Sequence, residues 1–262
     1  MADLGRWALA DKKLKPFRNK SGEFLNLTFS KVNDKVRAPV WEPSPQLLED
    51  LVVGKVYDLE GSEEEWQGER QFKLHAYEVV PDEEINPEDF LPQTNFPTDL
   101  VWETLRTDIG WFPKHILKFL DSVQDNFRLA PASTYHHHAY LGGLLEHTWE
   151  VYQIILKIHD LFDVDPEVAM IGAVLHDIGK IWTYEYKTTL QMTEEGKQLG
   201  HIALGLRKLE ELDLPLPILH IIASHHGKRE WGALMEPETP EAWAVHYADL
   251  VSSRMNGVMP PS

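Results

Sequence analysis

The chain has 262 residues, 43% hydrophobic and 26% charged, enough apolar content to bury one large core or two modest ones. Its net charge of −17 argues at first sight against a nucleic-acid partner. The absence of cysteine excludes disulfides, zinc–thiolate sites and cysteine nucleophiles, and no apolar run reaches the roughly 18 to 20 residues of a membrane span. A reducing cytoplasm is therefore the expected compartment, with no membrane partner. The N-terminal MADLGRWALADKKLK carries charges where a secretory leader needs a continuous apolar stretch.

The charge is unevenly spread. Residues 1–41 hold nine basic against four acidic side chains, whereas residues 81–262 hold 13 against 28. Within residues 1–80 the pattern is that of strands. GEFLNLTFSKV alternates Phe24, Leu25, Leu27, Phe29 and Val32 with polar neighbours, and DKVRAPVW, GKVYDLEGSEEEW and ERQFKLHAYEVV follow between Gly, Pro and charged turns. Asn19-Lys20-Ser21-Gly22 fits a hairpin turn. Five short strands over about 80 residues suit a small closed barrel, because closure removes exposed edges. PSPQLLEDL would supply a short helix plugging it.

Residues 81–97 carry four prolines and five acids without a period, which predicts a linker. From residue 98 to 262 the period is helical. DLVWETLRTDI and PKHILKFLDSVQDNF are amphipathic, and one long helix is expected from Gly143 to about Phe162. Asp165-Pro166-Glu167 supplies an N-cap, an N1 proline and an acidic first turn for a helix running to Gly179. Further helices are expected over 201–213, from Pro217 to Gly227, and from Thr239-Pro240-Glu241 to Gly257. The expected fold is thus multidomain, a small β-barrel followed by an all-helical bundle.

Five polar points recur on these helices: His147, His176-Asp177, His201, His225-His226 and Asp249. Their neighbours are apolar, and burying so many polar groups in one core is costly unless something pairs them. A divalent cation pairs them together. Nitrogen and carboxylate donors without sulfur favour Mn, Fe, Co, Ni or Zn. His147, His176, Asp177 and Asp249 would complete one site, and His201 with His225 a second if Asp177 bridges. Two such ions form a clamp for in-line phosphoryl transfer. Lys180, four residues after His176, would reach a phosphate oxygen.

HDIGK, preceded by GGLLEHT and followed by GHI, SHHG and HYADL, resembles the HD-domain metal-dependent phosphohydrolases. The successive intervals are 29, 25, 24 and 24 residues. The longer string HHHAYLGGLLEHT, with an all-β segment ahead of it, is similar to the YhaM-type 3′-to-5′ exoribonucleases, which join an OB-fold to an HD domain. That resemblance implies an OB-type nucleic-acid-binding domain over 1–80 and an HD phosphohydrolase over 98–262. It implies metal ligands His147, His176, Asp177 and Asp249, with His201 and His225 adding a second ion. His226 would join or replace His225, and two manganese ions are the expected complement. It also implies hydrolysis of single-stranded RNA, and of single-stranded DNA, to 5′-mononucleotides by a homo-oligomer. The alternative is an HD phosphohydrolase acting on a small nucleotide, its barrel serving assembly or regulation.

His137 or His138 is expected to contact the scissile phosphate or protonate the leaving 3′ oxygen. His138 stands beside Asp177 and Lys180 in the expected catalytic set. An OB barrel binds single strands by stacking bases on aromatics beside a positive groove. The aromatic candidates are Trp7, Phe17, Phe24, Phe29 and Trp41, with Phe17 the best exposed. The basic ones are Lys12, Lys13, Lys15, Arg18, Lys20, Lys31 and Arg37. Trp66, in an acidic turn, is a poor partner for phosphate.

Overall fold

The computed structural model describes residues 2–17, 21–32, 34–134 and 136–258. The chain divides into two compact units, one of residues 1–92 with 186–189 and one of residues 93–185 with 190–262.

The first unit is a closed barrel of strands β1 (Ala2–Pro16), β2 (Glu23–Lys31), β3 (Asp34–Trp41), β4 (Val56–Trp66) and β5 (Glu69–Val79). Their order is β1-β2-β3-β5-β4, with β1 closing onto β4 and only the β3–β5 pair parallel. This is an OB-type barrel. The inward positions of the period-2 pattern form its core, with Leu25, Leu27, Phe29, Val36, Ala38, Leu59 and Phe72 all buried. Helix α1 (Pro45–Asp50) is the expected plug. The Ser44 hydroxyl accepts from the Leu47 amide at 3.2 Å, and Leu47 and Leu48 pack against the core.

Strand β1 is the element that alternation did not reveal. It carries register shifts at Asp3/Gly5 and Leu9/Asp11 and changes partner at Ala8, from β4 to β2. Each bulge flips the in–out phase, so the charged ADKKLK run shows no single period. Gly5 supports the first bulge with a φ of 77°. Between β1 and β2 the Phe17 amide donates to the Gly22 carbonyl at 3.0 Å; the turn expected at 19–22 falls partly on residues 18–20, which lie outside the described residues. The expected linker also has structure. It holds two 3₁₀ turns, Asp82–Glu84 and Pro87–Asp89, and Phe90 is buried with Ala8, Val56 and Val80.

The second unit contains α2 (Thr98–Asp108), α3 (Lys114–Leu129), α4 (Gly143–Ile158), α5 (Pro166–Leu175), α6 (Lys180–Thr183), α7 (Glu194–Lys208), α8 (Leu216–Ser224) and α9 (Pro240–Val258). A short two-stranded ribbon, β6 (Tyr184–Tyr186) with β7 (Leu190–Met192), interrupts the helical sequence. Helix α4 stops at Ile158, and a 3₁₀ turn over His159–Leu161 takes up the rest of the expected length. Helix α5 begins as its caps require, with Asp165 Oδ1 accepting from the Glu167 and Val168 amides at 2.9 and 3.3 Å. It ends at Leu175, not at Gly179. Beyond it the bonding tightens to i→i+3, from the Ile178 amide to the Leu175 carbonyl and from the Lys180 amide to the Asp177 carbonyl. His176 and Asp177 therefore project from a turn. The helix expected at 201–213 starts earlier, at Glu194, and is broken at Gly200, whose φ of 70° only glycine adopts freely. His201 opens the half beyond that break.

Candidate metal centre and nucleic-acid face

Asp177 is buried at the middle of the helical unit, and its two oxygens face different imidazoles. Oδ2 lies 3.3 Å from Nε2 of both His147 and His176. Oδ1 lies 3.4 Å from Nε2 of both His201 and His225. Asp249 joins the first set, with Oδ1 3.2 Å from His147 Nε2. These side chains come from α4, the turn after α5, α7, the end of α8 and α9. Close approach at one point draws the turn and α7 together: a Cβ on Gly179 would stand 1.9 Å from the His201 carbonyl oxygen.

The ring orientations are set from behind. His176 Nδ1–H donates to the Ala173 carbonyl and His225 Nδ1–H to the Ile222 carbonyl, both at 2.8 Å. His147 Nδ1 meets Ser252 Oγ at 2.8 Å, and that hydroxyl donates to Glu150 Oε2 at 2.6 Å. Ser252 thus accepts from His147 Nδ1–H. In His176 and His225 this leaves the Nε2 lone pair pointing at a carboxylate, and His147 Nε2 does the same once it is deprotonated. Acceptors facing acceptors in a buried site repel unless a cation lies between them. Among the described residues Asp177 Oδ1, His201 Nε2 and His225 Nε2 are buried without a hydrogen-bond partner. The donor set fits a divalent metal site.

The electrostatics agree. Burial opposes a charge on Asp177, yet Lys180, His176 and His147 hold it well below the usual carboxylate range. Burial likewise disfavours a protonated His147, but the Asp177 and Asp249 carboxylates raise it to about 9. Burial keeps His176 and His201 below the usual imidazole value, and therefore neutral and able to ligate. Without a metal, a proton on His147 and the ammonium of Lys180 balance the two carboxylates.

Lys180 is buried, with Nζ 2.5 Å from Asp177 Oδ2. It also lines a cavity of about 750 Å³ together with His137, His201, His226 and Asp249. His225 and His226 separate here. His225 faces Asp177, whereas His226 stands on the cavity wall with Nδ1–H donating to the Trp231 carbonyl at 2.9 Å. Burial, then His225, lowers His226 to about 4.

His138 does not occupy the place expected of it. It is buried with Nε2 3.3 Å from Glu150 Oε2 and its ring centroid 5.3 Å from that of His147, and the cavity wall carries His137 instead. Burial, then the charge of Lys180, lowers His137 to about 3. Three supporting residues had no sequence signal of their own. Ser252 and Glu150 brace His147, and His246 Nδ1–H donates to the His225 carbonyl at 2.7 Å. His246 stands inside the quoted HYADL string, and Ser252 is three residues after His147's acidic neighbour Asp249.

Ser252→Ala is expected to weaken metal binding by roughly 10- to 100-fold with little change in fold, the usual effect of deleting an outer-shell partner. Competition against a chelating dye measures it. An unchanged affinity would mean that His147 is held by something other than Ser252.

On the barrel, the outer face of β1–β2–β3 aligns Lys15 with Phe24 and Trp41, and Lys13 with Asn26 and Pro39. Phe17, Phe24 and Trp41 form one aromatic cluster, with ring centroids 5.0 to 5.7 Å apart. Trp41 is 61% exposed. The other expected contacts are distributed differently. Trp7 and Phe29 are in the core, as the filling of a small barrel demands. Lys12 is committed to α1, donating to the Leu48 and Leu51 carbonyls at 2.7 and 2.6 Å, so it does not serve a phosphate. Lys13 pairs with Asp11 at 2.8 Å, Arg37 pairs with Glu69, and Lys31 lies over the Trp7 ring. Lys15 is exposed. Arg18 and Lys20 lie outside the described residues.

The HD domain family model matches residues 144–254. The 3′-5′ exoribonuclease YhaM of Oceanobacillus iheyensis is 27% identical over 248 residues, covering 89% of this chain and 78% of that protein. The 3′-5′ exoribonuclease YhaM of Bacillus subtilis is 27% identical over 268 residues, covering 97% and 85%. Among solved structures, the HD domain of the L. monocytogenes phosphodiesterase PgpH is 20% identical with a TM-score of 0.38, covering 53% of this chain and 76% of that one. Among the described residues no helix is long and apolar enough to cross a membrane.

Proposed function

We infer that this chain, an HD-domain protein similar along nearly its whole length to YhaM enzymes, is a metal-dependent 3′-to-5′ exoribonuclease. The observation that carries the chemistry is the buried Asp177 carboxylate divided between two pairs of imidazole Nε2 atoms. His147, His176, Asp177 and Asp249 would hold one divalent cation, and Asp177, His201 and His225 a second, with manganese the proposed metal. Such ions supply Lewis acidity and a bound water that ionises near neutral pH. Asp177 keeps both ligand sets charged, and Ser252 and Glu150 keep His147 in its ligating tautomer. Lys180 brings a cation to the cavity floor, where the negative charge of a reacting phosphodiester grows. His137 and His226, on the wall, are placed to donate to or accept from the substrate. Hydrolysis at the terminal linkage leaves the phosphate on the departing nucleotide, giving a 5′-mononucleotide.

The barrel is proposed to hold the strand. Its aromatic cluster offers π-faces to successive bases, and Lys15 and Lys13 offer charge on the same face. Single-stranded DNA presents the same bases and phosphates and is proposed as a second substrate. A cytoplasmic homo-oligomer completes the reading, the compartment being supported by the absence of cysteine.

A 5′-end-labelled RNA oligonucleotide tests the reading. A ladder shortening one nucleotide at a time, with 5′-mononucleotides released, is expected. An internal cut, or phosphate release from mononucleotides without shortening of RNA, would refute it in favour of another HD hydrolase. Trp41→Ala is expected to weaken single-stranded RNA binding by about 1–3 kcal/mol, the worth of one stacked base. Trp66→Ala, equally exposed but in an acidic strand end, should bind like wild type. Fluorescence anisotropy on the two variants decides, and equal affinities would remove the cluster from the RNA path.

A further inference from the structure

The cavity lined by Lys180 and Asp249 carries a second cationic side chain that the ligand set does not use. Arg254, on α9, lines it together with Lys180 and Asp249. The two cations differ in what they already hold. Lys180 is buried and bound to Asp177. Arg254 is exposed and, among the described residues, has neither an ion pair nor a hydrogen bond. An unpaired guanidinium on a cavity wall, in a region with 28 acidic against 13 basic side chains, is conspicuous. The bland alternative is a solvated residue near a helix end.

We propose that Arg254 binds the RNA phosphate one step to the 5′ side of the scissile linkage, setting how far the strand enters. This assignment rests on the exoribonuclease reading. In a 3′-to-5′ exonuclease the departing nucleotide carries the scissile phosphate and a free 3′-hydroxyl. Every other phosphate of the strand therefore lies to the 5′ side, and a second phosphate contact has to be made there. The placement of Arg254 agrees. It follows Asp249 by five residues, about 7.5 Å along the helix axis at 1.5 Å per residue. Asp249 faces the ligand centre, so the Arg254 backbone is displaced from it along α9. A planar guanidinium binds a phosphate through two parallel N–H···O bonds and stays charged at any working pH.

The test uses single-turnover removal of the first nucleotide from a decamer. One version carries a neutral methylphosphonate at the linkage next to the scissile one, and a control carries it three linkages further. For wild type, the adjacent neutral linkage should lower kcat/KM by roughly tenfold, the scale of one charge-assisted contact. Arg254→Ala should lower it by a similar factor on the plain decamer, with no further loss from the adjacent neutral linkage. The distant one should affect both proteins alike, and Arg254→Lys should recover part of the rate. Losses that multiply in full, or Arg254→Ala matching wild type on the plain decamer, would overturn the assignment. If wild type shortens no decamer at all, the exoribonuclease reading itself falls and takes the assignment with it.

Discussion

Asp177→Ala is expected to lose both bound ions and to slow RNA hydrolysis by roughly 10³-fold or more. One carboxylate faces all four imidazoles, Oδ2 toward His147 and His176 and Oδ1 toward His201 and His225. Its removal takes the shared anion from both ligand sets at once. Metal assistance is worth several kcal/mol of transition-state stabilisation, and each 1.36 kcal/mol is about tenfold in rate. The same change strands charge. Lys180 is buried and bound to Asp177, and breaking such a pair from one side costs about 3–5 kcal/mol. The metal-free variant should therefore also melt earlier than metal-free wild type. Elemental analysis beside a single-turnover assay checks the first expectation. A variant with its full metal complement and near wild-type rate would show that Asp177 bridges nothing.

Lys180→Ala is expected to keep its metal and lose roughly 10²-fold in turnover, the scale of one transition-state charge contact. Burial works against a charged Lys180, yet Asp177 holds its pKa above the usual lysine value, so the ammonium is permanent. In the metal-free protein it neutralises Asp177, and it does so from the cavity floor where the substrate phosphate is proposed to sit. The two roles separate by measurement. A purely structural lysine would change metal affinity or melting temperature and leave the saturated rate alone. A saturated single-turnover rate equal to wild type would reduce Lys180 to a helix-end cation.

The candidate centre was legible because its donors are chemically conspicuous. Histidines and aspartates inside apolar helices, at near-equal intervals, have few explanations besides a shared cation. The spacing could not say how the donors meet. Asp177 faces two ways because α5 ends at Leu175 and a tight turn re-aims the chain, a change of geometry that no hydrophobic period encodes. Ser252 and Glu150 stayed hidden for a different reason. A serine or glutamate on a helix is ordinary until the fold sets it behind a ligand. His137 and His138 were indistinguishable in a run of three histidines, and only the backbone, with His138 at a φ of 51°, sets one on the cavity and the other against Glu150. In the barrel, four strands announced themselves by alternation, while β1 was masked by two bulges and a change of partner. Counting basic residues overstated the positive face, because Lys12 caps α1 and Arg37 meets Glu69.

Calorimetric titration of metal-free protein with manganese tests the divided carboxylate most directly. Two equivalents per chain are expected for wild type. His201→Ala, which loses a donor only on the Oδ1 side, is expected to retain one. No binding by wild type, or loss of both equivalents in His201→Ala, would contradict a centre in which Asp177 serves two separate ligand sets.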